Sequence, residues 1–179
     1  MTDPSLRVLI PSEKIQARIR ELGEEISRDY PKGRLHLICI LKGATFFMTD
    51  LARAMKRDVF LDFMGISTYG KGTTTSGEVK VTKDLDISLE GADVLVVEDI
   101  VDSGVTLNYL LNLLEQRQPR SIRIVALLDK PQRRRSPVQV TYVGFQIPDE
   151  FVVGYGLDFD EKYRNLDDIC VLEPGQAQA

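Results

Sequence analysis

Two nearly unbroken apolar runs, LHLICIL at residues 35–41 and VLVV at residues 94–97, limit what this chain can become. Each is too short for a free-standing helix and apolar on every side, the pattern of a strand covered on both faces. Around them the spacing turns helical. Ile15, Ile19, Leu22 and Ile26 share one helical face behind Pro11 and Ser12, so a helix is expected over residues 12–30, with Ser12 as its N-cap and Pro31 and Gly33 as its stop. Phe47, Met48, Leu51 and Met55 repeat the spacing within residues 44–55, and Leu107, Leu110, Leu111 and Leu114 repeat it before Pro119. Residues 59–67, 79–84, 122–128 and 140–145 read as further strands. Strands alternating with helices predict an α/β fold with a mainly parallel central sheet flanked by helices.

The chain's 179 residues suit a single domain, and 23 Lys+Arg against 27 Asp+Glu give a net charge of −4. That balance argues against nucleic-acid binding through overall positive charge, leaving only a local basic patch, Arg133 to Arg135, to be weighed. No apolar run approaches the ~20 residues of a membrane span. The opening MTDPSLRVLIPSEK lacks the basic start and apolar stretch of a secretory signal. A cytoplasmic protein without membrane contact is therefore expected. Cys39 and Cys170 lie in apolar contexts and are expected to be buried, reduced thiols. One histidine, His36, cannot assemble a structural zinc tetrad and reads as a core residue of its strand.

Residues 94–106, VLVVEDIVDSGVT, carry the chemistry. Four β-formers deliver the chain to a sheet end, where open α/β sheets bind ligands. Gly104 permits a tight backbone, and Ser103, Thr106 and the free amides of the following helix can hold one phosphate. Glu98 and Asp99 are anions and cannot serve that phosphate; read alone, they fit a solvated acidic turn or ligands for sugar hydroxyls and a hard cation such as Mg2+. Residues 68–78, TYGKGTTTSGE, form a loop of unusual length with three glycines and no apolar period. The near miss to a phosphate-binding GxxxxGK[ST] loop at Gly65 to Lys71, GISTYGK, fails, because residue 72 is Gly and the residues after it do not read as a helix.

The string VLVVEDIVDSGVTL resembles the phosphoribosyl pyrophosphate signature of type I phosphoribosyltransferases, and more narrowly the chain resembles hypoxanthine-guanine phosphoribosyltransferases of bacterial type. The likeness extends from about Val8 to Pro174 through LKG at residues 41–43, STYG at 67–70, DKPQRR at 129–134 and IPDEFVVGYGLDFDEKYRNL at 147–166. Val105 stands where some relatives carry Lys. The resemblance implies a single type I phosphoribosyltransferase domain over residues 1–179, with a flexible lid at 68–78, including Thr68 and Tyr69, and a small base-binding hood to which 147–174 contributes. It implies transfer of the phosphoribosyl group from phosphoribosyl pyrophosphate to N9 of hypoxanthine or guanine, with Mg2+ as cofactor and a homodimer or homotetramer as the assembly.

Residue by residue, the same resemblance implies that Lys42, Gly43 and Arg164 bind pyrophosphate. Glu98 and Asp99 face the ribose and metal, Asp158 ligates Mg2+, and Ser103, Gly104 and Thr106 bind the 5-phosphate. Asp102 would be the general base at purine N7. Lys130 would reach the 6-oxygen, Phe151 would stack on the ring, and the Val152 backbone would read the edge bearing N1. Taken without the resemblance, Lys130 fits a solvated loop lysine, Phe151 a core aromatic and the acidic segment around Asp158 a surface. Regulators of the same fold that bind RNA are the competing class, and they would want an extended basic face where this chain offers only Arg133 to Arg135.

Overall fold

The computed structural model of the chain describes residues 6–68 and 79–173. Six strands form the main sheet in the order β4-β3-β2-β5-β6-β7. They are β2 (Leu35–Leu41), β3 (Phe60–Thr68), β4 (Val79–Lys83), β5 (Asp93–Val101), β6 (Ser121–Asp129) and β7 (Tyr142–Gln146). Only the β3–β4 pairing is antiparallel. The alternation of side chains along a strand divides the core in two. Leu37, Cys39, Leu95, Val97, Val125 and Leu127 point to the face covered by α1 (Ser12–Asp29) and α2 (Thr45–Ala54). Their neighbours Ile38, Ile40, Val94, Val96, Ile124 and Ala126 point to the face covered by α3 (Val105–Glu115). Both faces being dry is why residues 35–41 and 94–97 show no polar alternation.

The α1 face matches its sequence pattern, with Ile15, Ile19, Leu22 and Ile26 buried. Its start does not. The N-cap is Pro11, and Ser12 is already helical, its amide donating to Asp168 Oδ1 at 2.7 Å. A carboxylate from far along the chain thus supplies what a capping hydroxyl would have supplied, at the end of the helix where the macrodipole favours an anion. Strand β5 is longer than its apolar run and carries Glu98 and Asp99 within it. Cys39 and Cys170 are buried free thiols, as expected; burial pushes Cys39 up to about 12.

A second, antiparallel sheet, not foreseen from the sequence, joins β1 (Leu6–Ile10), β9 (Ile169–Leu172) and β8 (Val152–Val153) in the order β1-β9-β8. Leu6 faces Leu172, and Val152 faces Val171. This small sheet fixes the segment that follows Pro148 beside the carboxyl ends of β5 and β6.

Candidate active site

Strands β2 and β5 pair from Leu35 and Asp93 as far as Cys39 and Val97, and then part. From Glu98 to Val101, β5 is bonded to β6 alone. The chain leaves β2 toward β3 on one side and β5 toward β6 on the other, so the parting lies at the switch point where doubly wound sheets open a crevice. Two adjoining cavities fill it, of about 600 Å³ and about 300 Å³, both bordered by Ile100 and Asp102.

The smaller cavity gathers the residues expected to hold the 5-phosphate. Glu98, Ser103, Gly104 and Thr106 line it. Gly104 is the N-cap of α3 with φ +80, a left-handed conformation suited to glycine, and a Cβ there would lie 2.7 Å from the Ser136 carbonyl oxygen. The Ser103 carbonyl accepts from the amides of Arg135 and Ser136 at 2.9 and 3.0 Å, which pins the loop against the segment after β6.

On the other side of β5, Lys42 and Gly43 follow β2, with the Leu41–Lys42 peptide cis. A Cβ on Gly43 would sit 1.6 Å from Asp99 Oδ2, and a Cβ on Gly156, itself at φ +100, would sit 2.1 Å from the Gly43 carbonyl oxygen. Residue 43 therefore threads between a carboxylate and a second glycine, and no side chain fits. Arg164 donates to the Gly156 carbonyl at 2.8 Å and pairs with Asp158 Oδ1 at 3.0 Å. Glu161, absent from the expectations, bridges the two cations: its Oε2 lies 3.0 Å from Lys42 Nζ and 3.3 Å from Arg164 Nη2. Those cations, Lys42 foremost, hold the Glu161 carboxyl below the usual range.

Withdrawal from water raises the Glu98 carboxyl well above its ordinary value, with the charge of Asp99 adding to the rise. The same desolvation pushes Asp99 up to about 6, partly offset by the Ile100 amide that donates to its Oδ1 at 2.7 Å. Among the described residues no group of three or more acids, histidines or cysteines converges on one point. Asp99 and Asp158 line the larger cavity, and Glu98 the smaller. That donor set fits Mg2+, which takes one or two carboxylates and completes its octahedron with water and substrate oxygens.

The larger cavity holds the base-recognition candidates. Lys130, at the end of β6, is 7% exposed, its amide bonded to the Val101 carbonyl at 3.0 Å and its Nζ donating to the Glu150 carbonyl at 2.7 Å. It is no solvated loop lysine. Phe151 is 54% exposed at the cavity wall, its ring edge-on to Phe159, and Val152 lies in β8. Asp102 sits where the cavities meet. Two of the three arginines of the basic patch are engaged by residues of the cleft: Arg133 Nε donates to Asp102 Oδ1 at 2.7 Å, and Arg134 donates to the Asp102 carbonyl at 2.6 Å while pairing with buried Asp129. Carboxylates gathered at the strand ends attract the nearest guanidinium groups, which composition alone does not reveal. Thr68 ends β3, its backbone paired with Val79. Tyr69 and residues 70–78, the rest of the expected lid, lie outside the described residues. His36 is buried away from the cleft, stacked on Phe60.

Residues 10–160 match the family model described as the phosphoribosyl transferase domain. The hypoxanthine-guanine phosphoribosyltransferase of Bacillus subtilis (strain 168) is 51% identical over 168 residues, which cover 94% of this chain and 93% of that protein. The bifunctional protein TilS/HprT of Listeria monocytogenes (serotype 4b, strain F2365) is also 51% identical over 168 residues, and there the chain spans only about a quarter, 26%, of the relative's length. A crystal structure of a hypoxanthine phosphoribosyltransferase from Staphylococcus aureus superimposes with a TM-score of 0.92 at 47% identity, covering 95% of this chain and 93% of that one. A family model spanning most of the fold, and relatives half identical over nearly all of it, agree with the switch-point cleft: this chain belongs to the phosphoribosyl transferase family, with hypoxanthine-guanine phosphoribosyltransferases among its near relatives.

Proposed function

We propose that the protein transfers the 5-phosphoribosyl group of phosphoribosyl pyrophosphate to N9 of hypoxanthine or guanine, releasing pyrophosphate. The observation that carries this reading is the two-ended cleft: a phosphate-sized cavity at Ser103, Gly104 and Thr106 adjoins a base-sized cavity at Lys130 and Phe151, with Asp102 between them. The anomeric carbon becomes oxocarbenium-like as pyrophosphate departs, so the site has to hold the leaving group, neutralise it and manage one purine proton. Lys42 and Arg164 supply the positive charge and the Gly43 amide a neutral donor. Arg164 offers a planar fork and Lys42 a point charge. Mg2+, held through Asp99, Asp158 and Glu98 directly or through water, would supply further neutralisation of the pyrophosphate oxygens. Asp102 takes or holds the proton at N7 as N9 forms its bond. Lys130 donates to the 6-oxygen, and having no acceptor it disfavours the 6-amino group of adenine. Phe151 stacks on the ring.

The reading includes a cytosolic protein and a homodimer or homotetramer; no helix among the described residues is long and apolar enough to cross a membrane. The RNA-binding alternative loses support, because Arg133 and Arg134 spend their guanidinium groups on acids of the cleft. The test is transfer of radiolabelled hypoxanthine, guanine and adenine, with Mg2+ and after its removal, beside an RNA-binding control. Asp102→Asn should keep phosphoribosyl pyrophosphate binding and lose ~10² to 10⁴ in turnover. Adenine used within tenfold of hypoxanthine, or full turnover in Asp102→Asn, would overturn the assignment.

A further inference from the structure

The base-end cavity is already spanned by a side chain. Arg133 closes a 3-10 turn, Pro131–Arg133, directly after Lys130, and its guanidinium reaches across the cleft wall. Its Nε lies 2.7 Å from Asp102 Oδ1, and its Nη1 lies 3.0 and 3.3 Å from the two carboxylate oxygens of Asp149. All three residues border the cavity that also carries Lys130 and Phe151. The ends of this bridge differ. Asp149 offers both oxygens to the one nitrogen, whereas Asp102 offers a single oxygen, so the Asp102 contact can be released while Arg133 stays paired. Neighbouring Arg134 is different in kind: it grips the Asp102 backbone carbonyl and buried Asp129, and leaves the Asp102 carboxylate free.

We propose that Arg133 is a positioning residue that acts through Asp102 as a displaceable counter-ion: it holds the carboxylate at the cleft wall while the base site is empty and yields the oxygen when a base presents an N–H to it, withdrawing onto Asp149. The idea rests on the reading of Asp102 as the partner of purine N7. An entering base and the guanidinium compete for the same oxygen, Asp102 Oδ1, so the base has to outbid an ion pair before it gains its own hydrogen bond. Both members of the pair are nearly half exposed, at 45% and 44% of their side-chain surfaces, which places the contact among the weak, salt-screened pairs that yield readily. Removing the arginine therefore tightens base binding by the strength of such a pair, about two- to fivefold.

The experiment compares the wild-type protein with Arg133→Gln and Arg133→Lys at saturating phosphoribosyl pyrophosphate and Mg2+. The KM for hypoxanthine should fall about two- to fivefold in Arg133→Gln, with kcat changing by less than KM does, and Arg133→Lys should lie between, since a point charge cannot span both acids. Hypoxanthine is neutral, so its binding reports the protein's own charges: raising the salt concentration should lower the wild-type KM toward that of Arg133→Gln and leave the variant's nearly flat. Direct titration with 9-deazahypoxanthine, which carries the N7 proton and cannot react at position 9, should show the same gain in affinity. An unchanged or raised KM in Arg133→Gln, or a salt response equal in both proteins, would sink the proposal. Absence of transfer in the wild-type protein, or an Asp102→Asn variant indistinguishable from it, would instead sink the functional reading beneath it.

Discussion

At the scale of single residues, Asp99 and His36 are each held in an uncomfortable state by burial, with opposite consequences for acid stability. The folded protein raises Asp99 to about 6 from an ordinary 3.8, so it binds more protons than the unfolded chain in that window, and the ligand-free protein gains stability as the pH falls through it. Replacing the carboxylate by an amide removes the desolvated charge. We expect Asp99→Asn to melt above the wild-type protein at neutral pH, with the advantage fading as the pH drops below about 6, a comparison differential scanning calorimetry can make. His36 works the other way. Neither of its ring nitrogens has a partner among the described residues, and burial first, then the charge of Arg34, hold it below its usual 6.5. The unfolded chain binds the proton more readily, so whatever stability neutral His36 contributes is present above 6.5 and is lost as the pH falls. His36→Phe keeps the stacking on Phe60 and has no proton to bind; its margin over the wild-type protein in urea denaturation should widen from about pH 7.5 to about 5.5. A constant margin would mean that the imidazole is solvated in the fold.

At the scale of elements, the segment after β6 is held to the loop after β5 by Arg134, whose partners are the Asp102 carbonyl and Asp129, a carboxylate only 8% exposed. Arg134→Met strands that carboxylate and should cost about 3–5 kcal/mol in urea denaturation, whereas Arg134→Met with Asp129→Leu should recover most of the loss, because a buried pair is worth far less than the penalty for leaving one half of it. A double variant as unstable as the single one would assign the cost to the Asp102 carbonyl instead. This clamp illustrates which parts of the molecule could be read beforehand. Strands β2, β5 and β6 announce themselves because both faces are dry, and Ser103, Gly104 and Thr106 because a tight turn ahead of a helix needs those residue types. Arg133, Arg134 and Glu161 carried no such mark: their partners, Asp102, Asp129, Asp149 and Lys42, are set by how strands and loops close on one another. The small sheet was hidden for a similar reason. Strand β1 is half exposed, β8 has two residues, and β9 has four, so none shows the alternation or the long apolar run that identifies a strand.

At the scale of the whole molecule, the two ends of the cleft rest on different foundations. The smaller cavity is built on the main sheet, lined by the ends of β2, β3 and β5 and the start of α3. Val152, at the base end, hangs on β9, and β9 is held in turn by β1. Starting the chain at Pro11, or introducing Val8→Pro as a milder change, should therefore weaken binding of a base analogue well before it weakens binding of pyrophosphate, as calorimetric titration of the two ligands would reveal. Equal losses would mean that the small sheet supports the entire fold. Because Leu6 pairs with Leu172, the small sheet closes a contact between the earliest and the latest described strands of the chain. A ribosome delivers β1 long before β9 exists, and such distant pairings are slow because the intervening loop entropy has to be met first. The main sheet and the loop at Ser103 to Thr106 can condense while β1 waits unpaired, so during synthesis the smaller cavity can form before the larger one gains its wall at Val152.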